Sequence, residues 1–342
     1  MESIFQVDLP SLIDFLKLSG EPEFHARQIW QGIYHNLFSD WDEFTSLSKS
    51  LRETLKKKYS LISIQPKLIH SSPDKKTKKI LFHLSDGNPI ESVLMVNGKR
   101  ITLCISTQSG CAMGCTFCAT GKMGLLRNLS SGEIIEQVVF FERLLKQDSQ
   151  SLTNIVFMGM GEPFHNYDNL KNALTLIKSA DGLNMGARRL TVSTIGLIPQ
   201  IHRFADEFPQ VNLAISLHAP TDILRTSLVP MNKHFPLKDL ISACHDYIKL
   251  TNRRISFEYV LIEGINDSNQ HAKELILLVN GLLCHINLIP LNPIEKSMGI
   301  PSGANRLQEF YRNLTSAGIP TTIRKSQGAE IKAGCGQLAG KE

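Results

Sequence analysis

From residue 100 onward the chain alternates between apolar strand-like runs and amphipathic helical ones, and this rhythm restricts the fold more than any other feature. The strand-like runs are ITLCIS (101–106), LTNIVFMG (152–159), RLTVST (189–194), VNLAISLH (211–218), ISFEYVLI (255–262) and HINLIPL (285–291). The clearest helix starts at Ser130, with Glu133 completing a capping box and Ile134, Ile135, Val138, Phe141, Leu144 and Leu145 on one face. Others are expected near 168–180, 197–207, 236–250, 269–282 and 303–317. The strands are continuously apolar, as in a sheet covered on both faces. Strands separated by helices run parallel. Eight such units close a barrel, so six imply an α/β fold built on an open or partial (β/α)6 barrel. Functional residues of such a sheet belong at the carboxyl ends of its strands.

The first hundred residues read differently. Residues 1–60 show short helical patterns, as in LPSLIDFLKL and FHARQIWQGIYHNLF. Residues 61–96 alternate like strands, with DGN as a turn between two of them. The expected organisation is a helical accessory module (1–60), a β-hairpin module (61–96), the α/β core (97–330) and a C-terminal segment (331–342). No run is long and apolar enough to span a bilayer, and the acidic start MESIFQVDLPSLIDFLK does not read as a signal peptide. Seven unevenly spread cysteines do not make a secreted disulfide framework, so a cytoplasmic protein is expected. The net charge of +5 is concentrated: residues 49–79 hold ten Lys/Arg against Glu53 and Asp74. That stretch is either a solvated face or a phosphate-contacting surface.

The loop after the first core strand reads CAMGCTFCATGKMG, with cysteines at Cys111, Cys115 and Cys118. Three thiolates with no local fourth ligand suit an iron–sulfur centre left open on one side, or a zinc site borrowing a distant histidine. Polar or glycine-rich motifs follow at the ends of later strands. GMGEP holds Gly161 and Glu162, STIG holds Ser193, ISLHAP holds Ser216, Leu217 and His218, and IPLNP holds Asn292. Any one of these could be a turn or a cap. Together they set polar groups along one rim, where a cofactor would need donors and acceptors. Cys335 lies between Gly334 and Gly336 near the C-terminus, where the backbone can bend and present a thiol. Cys104 lies in the first core strand and alone reads as packing, as do Cys244 and Cys284.

The CxxxCxxC loop in this position resembles the radical S-adenosylmethionine (SAM) superfamily. With GMGEP, STIGLIPQI, LAISLHAP, INLIPLNP and CGQLAG, the chain resembles the bacterial dual-specificity 23S rRNA and tRNA adenine C2-methyltransferases, the RlmN family. The resemblance runs from about residue 10 to the end. It implies a [4Fe–4S] cluster on Cys111, Cys115 and Cys118, and SAM contacts from Gly161, Glu162, Ser193, Ser216, Leu217, His218 and Asn292. It further implies Cys335 as the S-methylated carrier, Cys104 as its resolving partner through a disulfide, and Glu91 as proton acceptor. Two SAM molecules would be used per methyl transferred. The implied substrates are an adenine of the peptidyl transferase centre in 23S rRNA and the anticodon-adjacent adenine of tRNA. A flavodoxin-like electron donor and a monomeric enzyme are also implied. IKAGCGQ departs from the family's usual IDAACGQ at Lys332 and Gly334. A C8-methylating relative that gives antibiotic resistance and a non-catalytic metal-containing RNA-binding protein are the alternatives.

Overall fold

A computed structural model describes residues 1–294, 299–324 and 327–341. Its main sheet has ten strands: β1 (Gln65–Ser71), β2 (Thr77–His83), β3 (Pro89–Asn97), β4 (Arg100–Cys104), β5 (Asn154–Phe157), β6 (Leu190–Thr194), β7 (Asn212–Ser216), β8 (Ile255–Leu261), β9 (Cys284–Pro290) and β10 (Thr321–Ile323). Each strand pairs with the one before it in sequence, so spatial order follows chain order from edge to edge. β4 to β10 are parallel, and β1 to β4 antiparallel. This is the partial barrel anticipated from six strand–helix units, extended by the short β10. The hairpin strands are not a detached module: β3 pairs with β4, with Val93 opposite Cys104.

The parallel core follows from its composition. Ile155, Phe157, Val192, Leu213, Ile215, Phe257, Ile286 and Leu288 are buried, with helices closing over the strands. The helix Ser131–Lys146 begins with the anticipated capping box, Ser130 Oγ accepting from Glu133 N and Glu133 Oε2 from Ser130 N. The same helix fastens the N-terminal helices to the core. Buried Glu136 accepts hydrogen bonds from the Ser63 amide and hydroxyl and from Ile64 N. Arg143 donates to the carbonyls of Leu37, Phe38 and Leu61. Each is an ionisable group whose hydrogen bonds go to segments that join the N-terminal helices to the core.

The accessory helices Leu9–Leu18, Phe24–Tyr34 and Lys49–Lys58 pack Leu12, Leu16, Ile29, Ile33, Leu51 and Leu55 inward. Lys56, Lys57 and Lys58 close the third helix on its exposed side, where cations complement the carbonyl end of the dipole. β1 forms the outer edge, with Pro66, Lys67 and a register shift between Pro66 and Leu68 limiting further strand addition. Among the described residues no helix is long and apolar enough to cross a membrane.

Candidate active site

Parallel strands in register deliver their carboxyl ends to one rim. Ser193 of β6 aligns with Ala214 of β7, Ser216 of β7 with Glu258 of β8, and Glu258 with Asn287 of β9. Above this rim lies a cavity of about 260 Å³. Cys111, Cys115 and Cys118 line it, as do Cys104, Gly161, Glu162, Ser193, Ser216, His218 and Cys335. Thiols separated by more than two hundred residues of chain thus share one space.

The cysteine loop is held by its own backbone. Cys111 N donates to Gly124 O at 2.9 Å, and Thr116 N to Leu228 O at 3.1 Å. Burial drives the Cys111 thiol up to about 12 and that of Cys115 well above its ordinary value. Among the described residues, no three His, Cys, Asp or Glu side chains are drawn together as a site for one metal ion. The three cysteines instead surround part of a larger cavity. An all-sulfur donor set of this kind fits an iron–sulfur cluster, whose irons would hold the buried thiols as thiolates.

Gly161 has φ +102°, and a Cβ there would meet Gln108 Cβ at 2.6 Å, so the turn into GMGEP requires glycine. The turn aims Glu162 inward. Its Oε1 accepts from Phe164 N at 3.0 Å and its Oε2 from Ile195 N at 2.9 Å. Burial raises its pKa to about 7, with the amides of Ile195 and Phe164 and the Thr194 hydroxyl opposing the rise. A buried carboxyl of this kind suits a cationic ligand group, which would restore its charge.

His218 has φ +60°, an uncommon backbone state for its type. Three contacts fix it: His218 N to Glu258 O at 3.3 Å, Asn266 Nδ2 to His218 O at 2.8 Å, and Val260 N to His218 Nδ1 at 3.1 Å. Because Nδ1 accepts, the ring proton resides on Nε2. Burial and the nearby Arg225 charge push its pKa down to about 3, so it is a neutral donor at physiological pH. Ser193 and Ser216 lie together, Oγ to Oγ 3.4 Å.

Three anticipated site residues do not line the cavity. Leu217 is buried, with its amide bonded to Glu258 O and its carbonyl accepting from Arg225 Nε. Asn292 donates from Nδ2 to Cys335 O at 3.0 Å, so it touches the C-terminal segment. Glu91 is buried in an ion pair with Lys79. The departure at Gly334 has a local reason. A Cβ there would stand 2.7 Å from Asn292 Nδ2, so glycine lets Asn292 come close.

The pairing of an N-terminal helical domain with this cysteine-lined barrel decides the family. A family model described as the Radical SAM superfamily matches residues 105–276. A second, described as the ribosomal RNA large subunit methyltransferase N-terminal domain, matches residues 3–61. Over 342 residues the chain is 44% identical to the probable dual-specificity RNA methyltransferase RlmN of Geobacillus kaustophilus, covering all of this chain and 93% of that protein. Over 340 residues it is 44% identical to the protein so described from Bacillus thuringiensis, covering 99% of this chain and 94% of that one. A crystal structure of a radical SAM methyltransferase from Sphaerobacter thermophilus superposes with a TM-score of 0.97 at 47% identity, both chains covered in full. The chain belongs to the RlmN family.

In this RlmN-family chain, the sites that the motifs left unmarked are charged residues beside the cavity, Arg225 and Glu258 buried and Arg324 half-buried. Arg225 sends Nη2 to the Ser216 and Ile195 carbonyls, Nε to Leu217 O, and Nη1 to Asn232 Oδ1, tying together the ends of β6 and β7. Glu258, on the cavity wall, accepts from Asn287 Nδ2 at 2.8 Å and pairs with Arg324 at 3.3 Å. Arg324 is the only Lys or Arg lining the cavity among the described residues. Its charge opposes the burial that raises the thiols of Cys335 and Cys104, the latter to about 12. All seven cysteines, Cys104 and Cys335 among them, are free thiols here.

Glu162 gives a pH dependence with a definite sign. A carboxyl whose folded-state pKa lies above its ordinary 4.5 favours the fold below that value, and the contribution is lost as pH rises through about 7. Between pH 4 and 8 the stability of the ligand-free protein relative to Glu162→Gln is expected to fall by about 3 kcal/mol. Denaturant unfolding of both proteins across this range measures it. A difference that stays constant with pH would mean that the Glu162 carboxyl keeps its ordinary pKa in the folded protein.

Proposed function

We propose that this chain is a SAM-dependent RNA methyltransferase that places a methyl group on C2 of an adenine in 23S rRNA and in tRNA. The observation that carries this reading is the convergence of Cys104 and Cys335 on the cavity lined by Cys111, Cys115, Cys118 and Glu162. The relatives named above are described as dual-specificity RNA methyltransferases.

Cys111, Cys115 and Cys118 would hold a [4Fe–4S] cluster. Gly161, Glu162, Ser193, Ser216 and His218 would face SAM, with Leu217 and Asn292 supporting the rim and the carrier segment. When bound, the cluster and SAM supply the methyl group and the radical chemistry that an electron-poor ring carbon demands. Cys335 carries the methyl-derived carbon and forms the bond to adenine C2. Glu91 takes the ring proton. Cys104, as thiolate, then attacks the sulfur of Cys335. The carbon–sulfur bond breaks with its electron pair going to the carbon, which takes up a proton. The methylated base leaves, and a disulfide remains for an external reductant to reopen. Arg324 favours thiolate at both cysteines. The reading includes a monomer in the cytoplasm served by a flavodoxin-like electron donor.

The target adenine must leave its stack to reach the cavity, which usually costs a few kcal/mol and least in loops. Lys56, Lys57 and Lys58 at a helix end and Lys75 and Lys76 at the turn between β1 and β2 are exposed cations suited to RNA phosphates. Lys79, in the same basic stretch, is buried and takes no part. Neutralising the five exposed lysines together is expected to weaken RNA binding and to flatten its salt dependence. Each lost phosphate contact should reduce the slope by about 0.7–0.9. Binding isotherms at low and high salt test this, and unchanged affinity at both would mark a solvated face.

The reading as a whole is tested by nucleoside mass analysis of ribosomal and transfer RNA from cells with and without the gene. Loss of 2-methyladenosine from both supports it. Loss of the 8-methyl isomer, or no change in either RNA, overturns it.

A further inference from the structure

The C-terminal segment that carries Cys335 is gripped along its length by side chains and amides beside the cavity. Asn292 Nδ2 holds Cys335 O, and Gln337 Nε2 donates to Pro293 O at 3.0 Å. Ala119 N, immediately after Cys118, donates to Gly336 O at 2.7 Å. Thr120 Oγ1 donates to Leu338 O at 2.6 Å. Ala333 and Leu338 pack into a small apolar cluster with Val93, Cys104 and Val156.

The far end of the grip is different in kind. Glu91 Oε2 accepts from Ala339 N at 2.7 Å and from Gly340 N at 3.1 Å. Its Oε1 pairs with Lys79 Nζ at 2.8 Å, and the two side chains are only 1% and 8% exposed. Glu91 and Lys79 lie on neighbouring strands, with Leu81 opposite Glu91 and Lys79 opposite Val93. A buried ion pair is a costly way to stabilise a sheet, since apolar residues of similar size serve as well or better. It does supply what an apolar pair cannot: a fixed carboxylate that can hold two amides from a segment almost 250 residues away.

Resting on the function proposed above, we infer that Lys79 and Glu91 form a latch that grips residues 339–340, helps to position Cys335 in the cavity, and frees Glu91 for proton transfer only when those two residues lift. Lys79 fixes the carboxylate and is a positioning residue. Three donors converge on Glu91 while the latch is closed, and Glu91 lies outside the cavity lining. Residues 339–340 and the adenine therefore compete for Glu91, while Cys335 stays seated through the bonds of Asn292 Nδ2 and Ala119 N. Entry of the RNA is the event that lifts residues 339–340.

Hydrogen–deuterium exchange with mass spectrometry on anaerobically purified, cluster-loaded, full-length protein tests the latch without reference to product. Two variants remove it from opposite sides. Lys79→Met with Glu91→Leu replaces the ion pair by apolar side chains, which the sheet should tolerate. Ala339→Pro removes one of the gripped amides and leaves the pair intact. In both, amides of residues 333–338 are expected to exchange at least about tenfold faster, with strand 255–261 unchanged. In the wild-type protein, adding substrate tRNA should accelerate exchange over 339–341. Unaltered protection of 333–338 in both variants overturns the latch. Accelerated exchange that extends through strand 255–261 also overturns it, because the pair would then be ordinary core. Saturating tRNA that leaves 339–341 protected overturns the release of Glu91. Failure of the proposed function would show instead as unmethylated RNA, with the exchange differences among the variants intact.

Discussion

Cys104→Ala is expected to halt the reaction with the protein joined covalently to its RNA through Cys335, whereas Cys335→Ala is expected to give neither product nor adduct. The two thiols come from opposite parts of the chain, one closing β4 and one in the C-terminal segment, and they face the same cavity. The Cys335 charge is among the causes that raise the Cys104 thiol. If Cys335 carries the carbon, its loss removes the only bond between protein and base. If Cys104 resolves that bond, its loss acts one step later, after carbon–carbon bond formation, and leaves the thioether standing. Product should fall on the order of 10⁴-fold in either variant. Denaturing electrophoresis of labelled RNA and peptide mass analysis at Cys335 separate them. Two cysteines that merely pack would behave alike: each variant would lose about 1–3 kcal/mol of stability and neither would trap RNA.

The parts of this site that were legible in the sequence are those whose chemistry is local. A CxxxCxxC loop carries its meaning within eight residues. The strand rhythm is legible because a sheet covered on both faces needs continuous apolar runs. The short β10 was not, since Thr321–Ile323 is too brief to show any period. Nor were the buried charges. Lys79 reads as one more cation in a basic stretch, yet it is buried, because its partner Glu91 is brought beside it by strand pairing. Arg225 belongs to none of the motifs, yet three carbonyls at the ends of two strands draw it inward. Glu258 and Arg324 meet only because β8, β9 and β10 are neighbours. In each case the signal is a contact between distant segments, and residue type alone predicts the opposite environment. Leu217 shows the converse. Its neighbours Ser216 and His218 line the cavity, while its own side chain belongs to the core.

The largest effect on the metal centre is expected from Cys111→Ala, which should abolish the cluster while leaving the fold in place. The loop does not depend on iron for its course, since Cys111 N, Thr116 N and Ala119 N are bonded to Gly124, Leu228 and Gly336 carbonyls. Neither Glu162 nor His218 is placed to take over as ligand. Glu162 already bonds the amides of Phe164 and Ile195. His218 Nδ1 is bound to Val260 N, and its Nε2 carries the ring proton. The Cys115 thiol that remains is deeply buried, with its pKa raised well above the ordinary value, so it ionises poorly without its full set of irons. Loss of one ligand should therefore take the whole cluster with it. Anaerobic reconstitution should give the wild-type protein one [4Fe–4S] centre by iron and sulfide analysis and by visible absorption, and the variant a small fraction of that. With SAM and a reductant, the variant should yield no 5′-deoxyadenosine, with its circular dichroism still that of the wild type. Tight binding of a single zinc by the wild-type protein with no iron taken up, or full iron retained by Cys111→Ala, would return the cysteine loop to a structural role.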